Sequence, residues 1–498
     1  MGKINQIAKR GKALFFEQKV LLFRYKKQLL TMLVIYLLAF SGIIRADFAY
    51  WDDIGRIYEG YHGWLDWSRY STEILATFVH AGWHLTDISP FPQILACVIM
   101  AAAGIFLLEV FGNGKRVGFF QILAVSLTAL TPYFLGMISY KFDSPYMALS
   151  LLVCVVPFLF RRQRAEIYAA VSVFCLLIMC TTYQASSGIY PMIAAFLAME
   201  DIAAGNEYKN NLKFLGVSAL SYLGSLGFFW MFLMRDNGVS VSSSADFFPL
   251  AAKRYVTYYE IIWHDFSKIW LFLILAIVFF FLISFCLSAK INKLYALGLG
   301  VFMVFLGSIL CFGVNLFISR EAYDVRSMYG FNIFLALLAV FLSFHSRNWI
   351  PKVVYAALMW CFFVFSLTYG NALAQQQDYM QYRIELLAGD LNDLDIMNTE
   401  EIKEVLIVGD IGYSPVIERM AEDYPILDRA SFTGSGDGLI CTGLGEGFWG
   451  GYYFYNYLKI PNIRSGSESD IDPELPVIKE TMYHTIRGSR SLVVIELK

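Results

Sequence analysis

The sequence predicts a polytopic α-helical membrane protein, with about eleven transmembrane helices followed by a C-terminal extracytoplasmic α/β domain. Three observations lead there. The 498-residue chain is 57% hydrophobic and only 16% charged, where a soluble domain carries roughly 25% charged residues. A surface that apolar cannot be solvated by water. The apolar residues are gathered in blocks of about 17–25 residues, the length that crosses a bilayer as a helix. From about Gln375 onward the composition is that of a soluble protein.

The blocks lie near 29–44, 90–111, 119–136, 145–160, 167–183, 187–199, 214–234, 268–288, 294–317, 329–344 and 353–371. Pro132, Pro157 and Pro191 fall inside three of them, which neighbouring helices tolerate by satisfying the freed carbonyls. Orientation follows from the basic residues. With a cytoplasmic N-terminus the inner segments carry 19 Lys and Arg, and the outer loops only 9 over a longer stretch. Three parts result: a cytoplasmic amphipathic segment 1–28, a transmembrane domain 29–371, and an extracytoplasmic domain 372–498. The first part mixes Lys3, Lys9, Arg10, Lys12 and Lys19 with Ile4, Ile7, Leu14 and Phe15, a pattern for an anionic inner leaflet or a plain topological anchor. No small-residue cleavage site follows the first block, so a cleavable signal peptide is not expected. Seven of the eight cysteines lie inside apolar blocks and no CxxC pair exists, so they read as small buried hydrophobes rather than disulfide or zinc partners. A net charge of −2 excludes a nucleic-acid binder, which needs a basic excess.

In the tail, Leu386, Leu387, Leu391 and Leu394 predict a helix over 375–395. Glu404–Asp410 reads as a buried strand, Ser414–Asp423 as a helix and Ser491–Leu497 as a closing strand. The Gly-rich run Gly434–Gly451 lacks a strand–GxGxxG–helix context and reads as a loop.

The outer loops hold the chemistry. The first contains Tyr50-Trp51-Asp52-Asp53-Ile54-Gly55-Arg56 and then Ser68-Arg69-Tyr70. Two carboxylates facing one site repel each other, which raises one pKa and makes a base for a hydroxyl. The same pair can equally cap a helix or simply be solvated. Arg56 and Arg69 suit bidentate phosphate binding. Ser71–Asp87 places Ile74, Leu75, Phe78, Val79 and Trp83 on one face, a helix for the membrane–water interface. His80 and His84 sit four apart, but without a third ligand they read as packing rather than metal binding. The aromatic run Phe247–Trp263 in the fourth loop belongs at the interface as well. The theme recurs in Ser139-Tyr140-Lys141-Phe142-Asp143-Ser144-Pro145, in Tyr183-Gln184-Ala185-Ser186, and in Arg320 through Asp324, Arg326 and Tyr329. Charged groups gathered at one membrane face mark a site.

This ordered set resembles the GtrII-type glucosyltransferases, polytopic enzymes of the GT-C class that decorate bacterial surface polysaccharides. The resemblance covers roughly Ile35–Gly370. It implies a GT-C-like fold in the bacterial cytoplasmic membrane, a donor sugar on a polyprenyl phosphate flipped to the outer face, and a glycan hydroxyl as acceptor. By match, Asp52 and Asp53 fall on the acidic motif, with Asp53 the first choice as base. Arg56, Arg69, Lys141 and Arg326 fall on donor-phosphate positions. Asp143, Tyr183, Gln184, Arg320 and Tyr329 fall on sugar or acceptor positions. Ser68-Arg69-Tyr70 stands where Gly-Arg-Pro is expected. No cofactor is required, although paired carboxylates could hold Mg²⁺. A donor-sugar synthase and a flippase are the implied functional partners. A surface-polysaccharide polymerase or ligase is the alternative, with a lipid or glycan transporter behind it. A polymerase or ligase would carry a longer outer loop, and a transporter two related halves.

Overall fold

The computed structural model describes residues 21, 23–236, 247–319, 322–394, 404–428, 439–440, 463–465, 471–472, 474–489 and 492–498. The basic segment 1–20, Arg320 and most of the Gly-rich run 434–451 lie outside the described residues.

Each of the eleven apolar blocks carries helix. Among the described residues six helices are long and apolar enough to cross a membrane: Phe91–Gly112, Ala165–Thr182, Tyr208–Leu233, Lys268–Ser288, Lys293–Leu310 and Ile350–Asp393. A seventh arises if Phe119–Leu130 and Pro132–Ile138, bent by 62°, count as one span. Proline explains the break. Pro132 opens the second piece, and Thr131 before it is extended at ψ 155°, as the residue preceding proline prefers. Pro157 has a similar effect, ending the Ser144–Val155 helix in a tight turn of 3₁₀ helix over Val156–Phe160. The remaining blocks hold shorter helices, Lys26–Ala39 with Ser41–Ala46, Ile189–Ala203 and Gly330–His345.

Packing sorts these helices into inner and outer ones. Every residue of Gly330–Ser343 is buried. By contrast Leu220, Leu287 and Phe272 are 75%, 74% and 69% exposed, an apolar outer surface that only lipid can cover. The chain is a membrane protein. Ser41–Ala46 crosses Ile350–Asp393 where Gly42 faces Gly370, and a Cβ on Gly370 would collide with the Gly42 backbone. Small residues allow such close helix approach. Replacing Gly370 with Leu is therefore expected to lower stability by about 1–3 kcal/mol, read as an earlier unfolding midpoint in detergent.

The last helix differs from expectation. The predicted final span and the predicted tail helix are one continuous helix of 44 residues, Ile350–Asp393. No proline stands near residue 372 and Gly370 sits inside the helix rather than capping it, so the helix carries the chain out of the apolar region directly into the tail. Its far end buries Met380, Ile384, Leu387 and Leu391 against Val405, Ile407, Val493 and Ile495. Among the described residues the tail sheet has five strands: β1 Glu404–Val408, β2 Ile463–Ser465, β3 Val477–Glu480, β4 His484–Gly488 and β5 Leu492–Leu497, in the order β2-β1-β5-β4-β3. β1 runs parallel to β2 and β5, whereas β5, β4 and β3 are antiparallel. The predicted β1, β5 and Pro415–Asp423 helix are all present, and Ser414 Oγ accepts from the Ile417 N–H at 3.4 Å as its cap. Buried Arg383 ties helix to sheet, donating to the carbonyls of Tyr483 and Lys498 at 2.6 and 2.7 Å. Ile54, from the first loop, packs in this same apolar cluster.

Candidate active site

The first loop folds into a short helix, Asp52–Glu59. Trp51 precedes it at φ +49°, ψ −112°, a region that costs a bulky residue about 1–3 kcal/mol. That sharp turn aims the N-terminus of the helix at a cavity of 140 Å³ lined by Tyr50, Trp51, Asp52, Gly136, Tyr140, Asp324, Val325 and Arg326. Three of the loops predicted to lie outside thus meet in one place. Gly136 permits it: a Cβ there would lie 3.1 Å from Val325 Cγ1 and 3.2 Å from the Arg326 nitrogen.

The Asp pair is split by the helix. Successive helical residues diverge by about 100°, so Asp52 and Asp53 cannot share a site. Asp52 lines the cavity. Asp53 is fully buried, and its carboxylate accepts backbone N–H bonds from Lys141 at 2.8 Å, Phe142 at 3.3 Å and Tyr50 at 3.4 Å. Asp53 is thus a pin between the first and second loops, and Asp52 is the member of the pair that faces the cavity. Burial pushes the Asp53 carboxyl up to about 8, against the pull of the Lys141 N–H and of Arg56. A carboxyl ordinarily near 4 that holds its proton up to about 8 when folded contributes stability below pH 4. That contribution fades as pH rises through 8. The unfolding midpoint is expected to fall over this window, and the slope to flatten in Asp53→Asn.

Behind the cavity lies a buried ion network. Asp143, held at the turn before the Ser144–Val155 helix, pairs with Arg56, accepts from Trp64 Nε1 at 2.6 Å, and stands 3.9 Å from Arg69. Burial alone would raise the Asp143 pKa, but Arg56, Arg69 and the Trp64 N–H outweigh it and hold it below the usual carboxylate range. Arg56 lies over the Trp64 ring at 4.5 Å, and Arg69 over Tyr183 at 5.1 Å. Burial lowers the Arg69 pKa, and the nearby Arg326 adds to the effect. Arg326 lines the cavity over the face of Tyr140, 4.7 Å from its centroid. No ion pair joins Arg326 to a carboxylate among the described residues, so it is the cation left to a ligand.

The other expected residues sit apart from the cavity lining. The Lys141 ammonium is committed to Asp47 at 2.6 Å and Asp87 at 3.0 Å, which overrides the burial that would lower its pKa. It fastens the loops. Gln184 donates to the Trp67 carbonyl at 3.1 Å. Tyr329 stacks on Tyr183 and shares a buried hydroxyl cluster with Ser150 and Ser186. His80 stacks on Phe142 at 5.3 Å, and no group of three or more His, Cys, Asp or Glu comes together among the described residues. Asp52 and Asp324 are the carboxylates that line the cavity.

Residues that sequence reasoning did not assign include Tyr50, Trp51, Tyr140 and Asp324, although all four stand in the quoted motifs. The fourth loop also proves to be largely helix, Phe247–Asp265. Its buried Arg254 donates to the carbonyls of Asn315 and Ser319 at 3.2 and 3.0 Å, and Tyr258 to that of Ala322 at 2.8 Å. These bonds hold the segment that delivers Arg326. The interfacial helix is shorter than expected, Tyr70–Val79, and it exposes Ile74, Phe78 and the following Trp83 at 59%, 77% and 80%. Leu75 and Val79 turn inward onto the cluster of Trp64 and Phe142.

A Salmonella phage P22 protein, described as an uncharacterized 55.3 kDa protein in the gtrB 5′ region, is 21% identical over 397 residues, covering 76% of this chain and 80% of its own. No solved structure matches. The family model described as glucosyl transferase GtrII matches residues 40–343, which include the whole cavity and its ion network, and the chain belongs to that glucosyltransferase family.

Proposed function

We propose that the protein transfers glucose from a polyprenyl-phosphate donor to a hydroxyl of a cell-surface polysaccharide, at the outer face of the bacterial cytoplasmic membrane. The observation that carries this reading is the cavity itself, where the Asp52 carboxylate and the uncommitted Arg326 guanidinium line one aromatic-walled space. In this reading the fold is GT-C-like, the eleven helical blocks form the membrane domain 29–371, the N-terminus is cytoplasmic, and the domain 372–498 is extracytoplasmic.

The chemistry follows from the parts. Asp52 takes the proton of the acceptor hydroxyl as its oxygen bonds to the anomeric carbon. The bond from that carbon to the phosphate oxygen breaks, and its electron pair leaves on the polyprenyl phosphate. Arg326, with Arg69 behind it, stabilises the charge gathering on the phosphate. One direct displacement inverts the anomeric centre. Arg56 and Asp143 keep Arg69 in place, and Tyr183 and Gln184 shape the acceptor side. Cationic side chains alone can serve here, so the mechanism does not call for Mg²⁺. A synthase that makes the lipid-linked sugar and a flippase that presents it are the reactions that supply the donor.

Replacing Arg326 with Ala is expected to raise the KM for the lipid-linked donor about ten- to a hundredfold, the loss of one charged hydrogen-bonding group. Initial rates against donor concentration check this, and an unchanged KM would count against the phosphate role. The overall reading is tested by supplying the purified protein with polyprenyl-phosphate glucose or with a nucleotide-linked glucose. Transfer from the lipid-linked donor supports it, and transfer from the nucleotide donor alone refutes it.

A further inference from the structure

A second cavity, of 300 Å³, lies at the opposite end of the bundle. The Gly330–His345 helix begins beside Arg326 and ends at this cavity, which puts about 24 Å between the two. Its charged lining comes from four separate connections. Lys115 is in the turn after Phe91–Gly112, Arg161 follows Val156–Phe160, Glu200 and Asp201 end Ile189–Ala203, and His345 closes its own helix. Buried Phe285 and Phe341 form an apolar wall.

The polar groups do not satisfy one another. His345 Nδ1 lies 3.2 Å from the Phe341 carbonyl oxygen, which can only accept, so Nδ1 carries a proton. His345 Nε2 then lies 3.3 Å from both Lys115 Nζ and Glu200 Oε1. Without a second proton, Nε2 accepts from Lys115 and faces the Glu200 oxygen lone pair to lone pair. With one, it donates to Glu200 and repels Lys115. With Glu200 ionised, His345 can therefore serve Lys115 or Glu200 but not both. Arg161 spends only one contact on Asp201, at 3.4 Å, and retains donors for a ligand. The cavity thus offers two cations and two carboxylates beside an apolar wall, at the end of the helices where lipid headgroups lie.

We propose that this cavity binds the headgroup of a phospholipid bearing both a phosphate and a primary ammonium, the phosphate on Lys115 and Arg161 and the ammonium on Glu200 and Asp201. A purely anionic headgroup would bring its charge against two carboxylates. A quaternary headgroup would have no N–H to give them. The primary amine resolves the mismatch at Glu200, and the phosphate resolves that at Lys115.

The test uses full-length protein, stripped of lipid in detergent, with binding read as a rise in melting temperature during titration. The probes are phosphatidylethanolamine, phosphatidylcholine, phosphatidylglycerol, soluble O-phosphoethanolamine and inorganic phosphate. Phosphatidylethanolamine is expected to bind about tenfold more tightly than either other lipid, as charge-assisted hydrogen bonds to the ammonium require. Glu200→Gln should abolish that preference, and Lys115→Met should weaken binding of all three lipids. Equal binding of the three lipids by the unaltered protein overturns the proposal without reliance on any variant. So does O-phosphoethanolamine or inorganic phosphate binding as tightly as the lipid, since either result assigns the cavity to a soluble ligand.

Discussion

Asp52→Asn is expected to lower glucosyl transfer by about two to four orders of magnitude, the usual worth of a positioned general base, while leaving the unfolding midpoint in place. Asn matches Asp in size, so packing around Trp51 and Tyr50 is retained. What disappears is the group that accepts the hydroxyl proton. The fall should lie in kcat, because Arg326 and Arg69, which hold the donor phosphate in this scheme, are untouched. A variant with normal turnover would remove Asp52 from the role of base and leave Asp324 as the other carboxylate lining the cavity.

The second large effect is one of stability. Asp143→Asn leaves the Arg56 and Arg69 guanidiniums buried with no carboxylate between them. Breaking a buried pair from one side costs about 3–5 kcal/mol, and both partners here are only 4% exposed. Denaturant unfolding of the purified protein reads this directly. The control is the double replacement Arg56→Leu with Asp143→Leu. It strands no charge on Arg56 and is expected to lose less than the single variant. A single variant as stable as the parent would mean that the network is not under the strain its burial implies.

These expectations show where sequence and structure part company. The apolar blocks were legible because bilayer length and hydropathy act residue by residue along the chain. Their prolines were legible too, but not that Pro132 would turn a span by 62°, since that depends on what fills the bend. The loops that build the site were legible as a set, through their charged residues and their shared side. Their internal division of labour was not. Read as loop, Asp52 and Asp53 look interchangeable; once the helix starts at Asp52, its 100° step sends one to the cavity and the other into the protein. Lys141 likewise reads as a free cation until the fold brings Asp47 and Asp87 to it, from positions far off in the chain. In the tail, β1 and β5 announced themselves by runs of Val, Ile and Leu. β3 and β4 did not, because Val477–Glu480 is an exposed edge strand and His484–Gly488 takes its burial from its neighbours rather than from its own composition. The continuous helix through residue 372 also joins two regions that composition separates, and with Ile54 it seats the active-site helix on the tail sheet.

The assignment of Asp52 as the base, with Asp53 as a structural pin, is tested most directly by measuring glucosyl transfer from polyprenyl-phosphate glucose by Asp52→Asn and Asp53→Asn side by side. Folding of both variants is checked in the same preparations. The expected result is loss of turnover in Asp52→Asn, and retained turnover with an altered pH dependence of stability in Asp53→Asn. A folded Asp53→Asn protein without activity, beside an active Asp52→Asn protein, would contradict it.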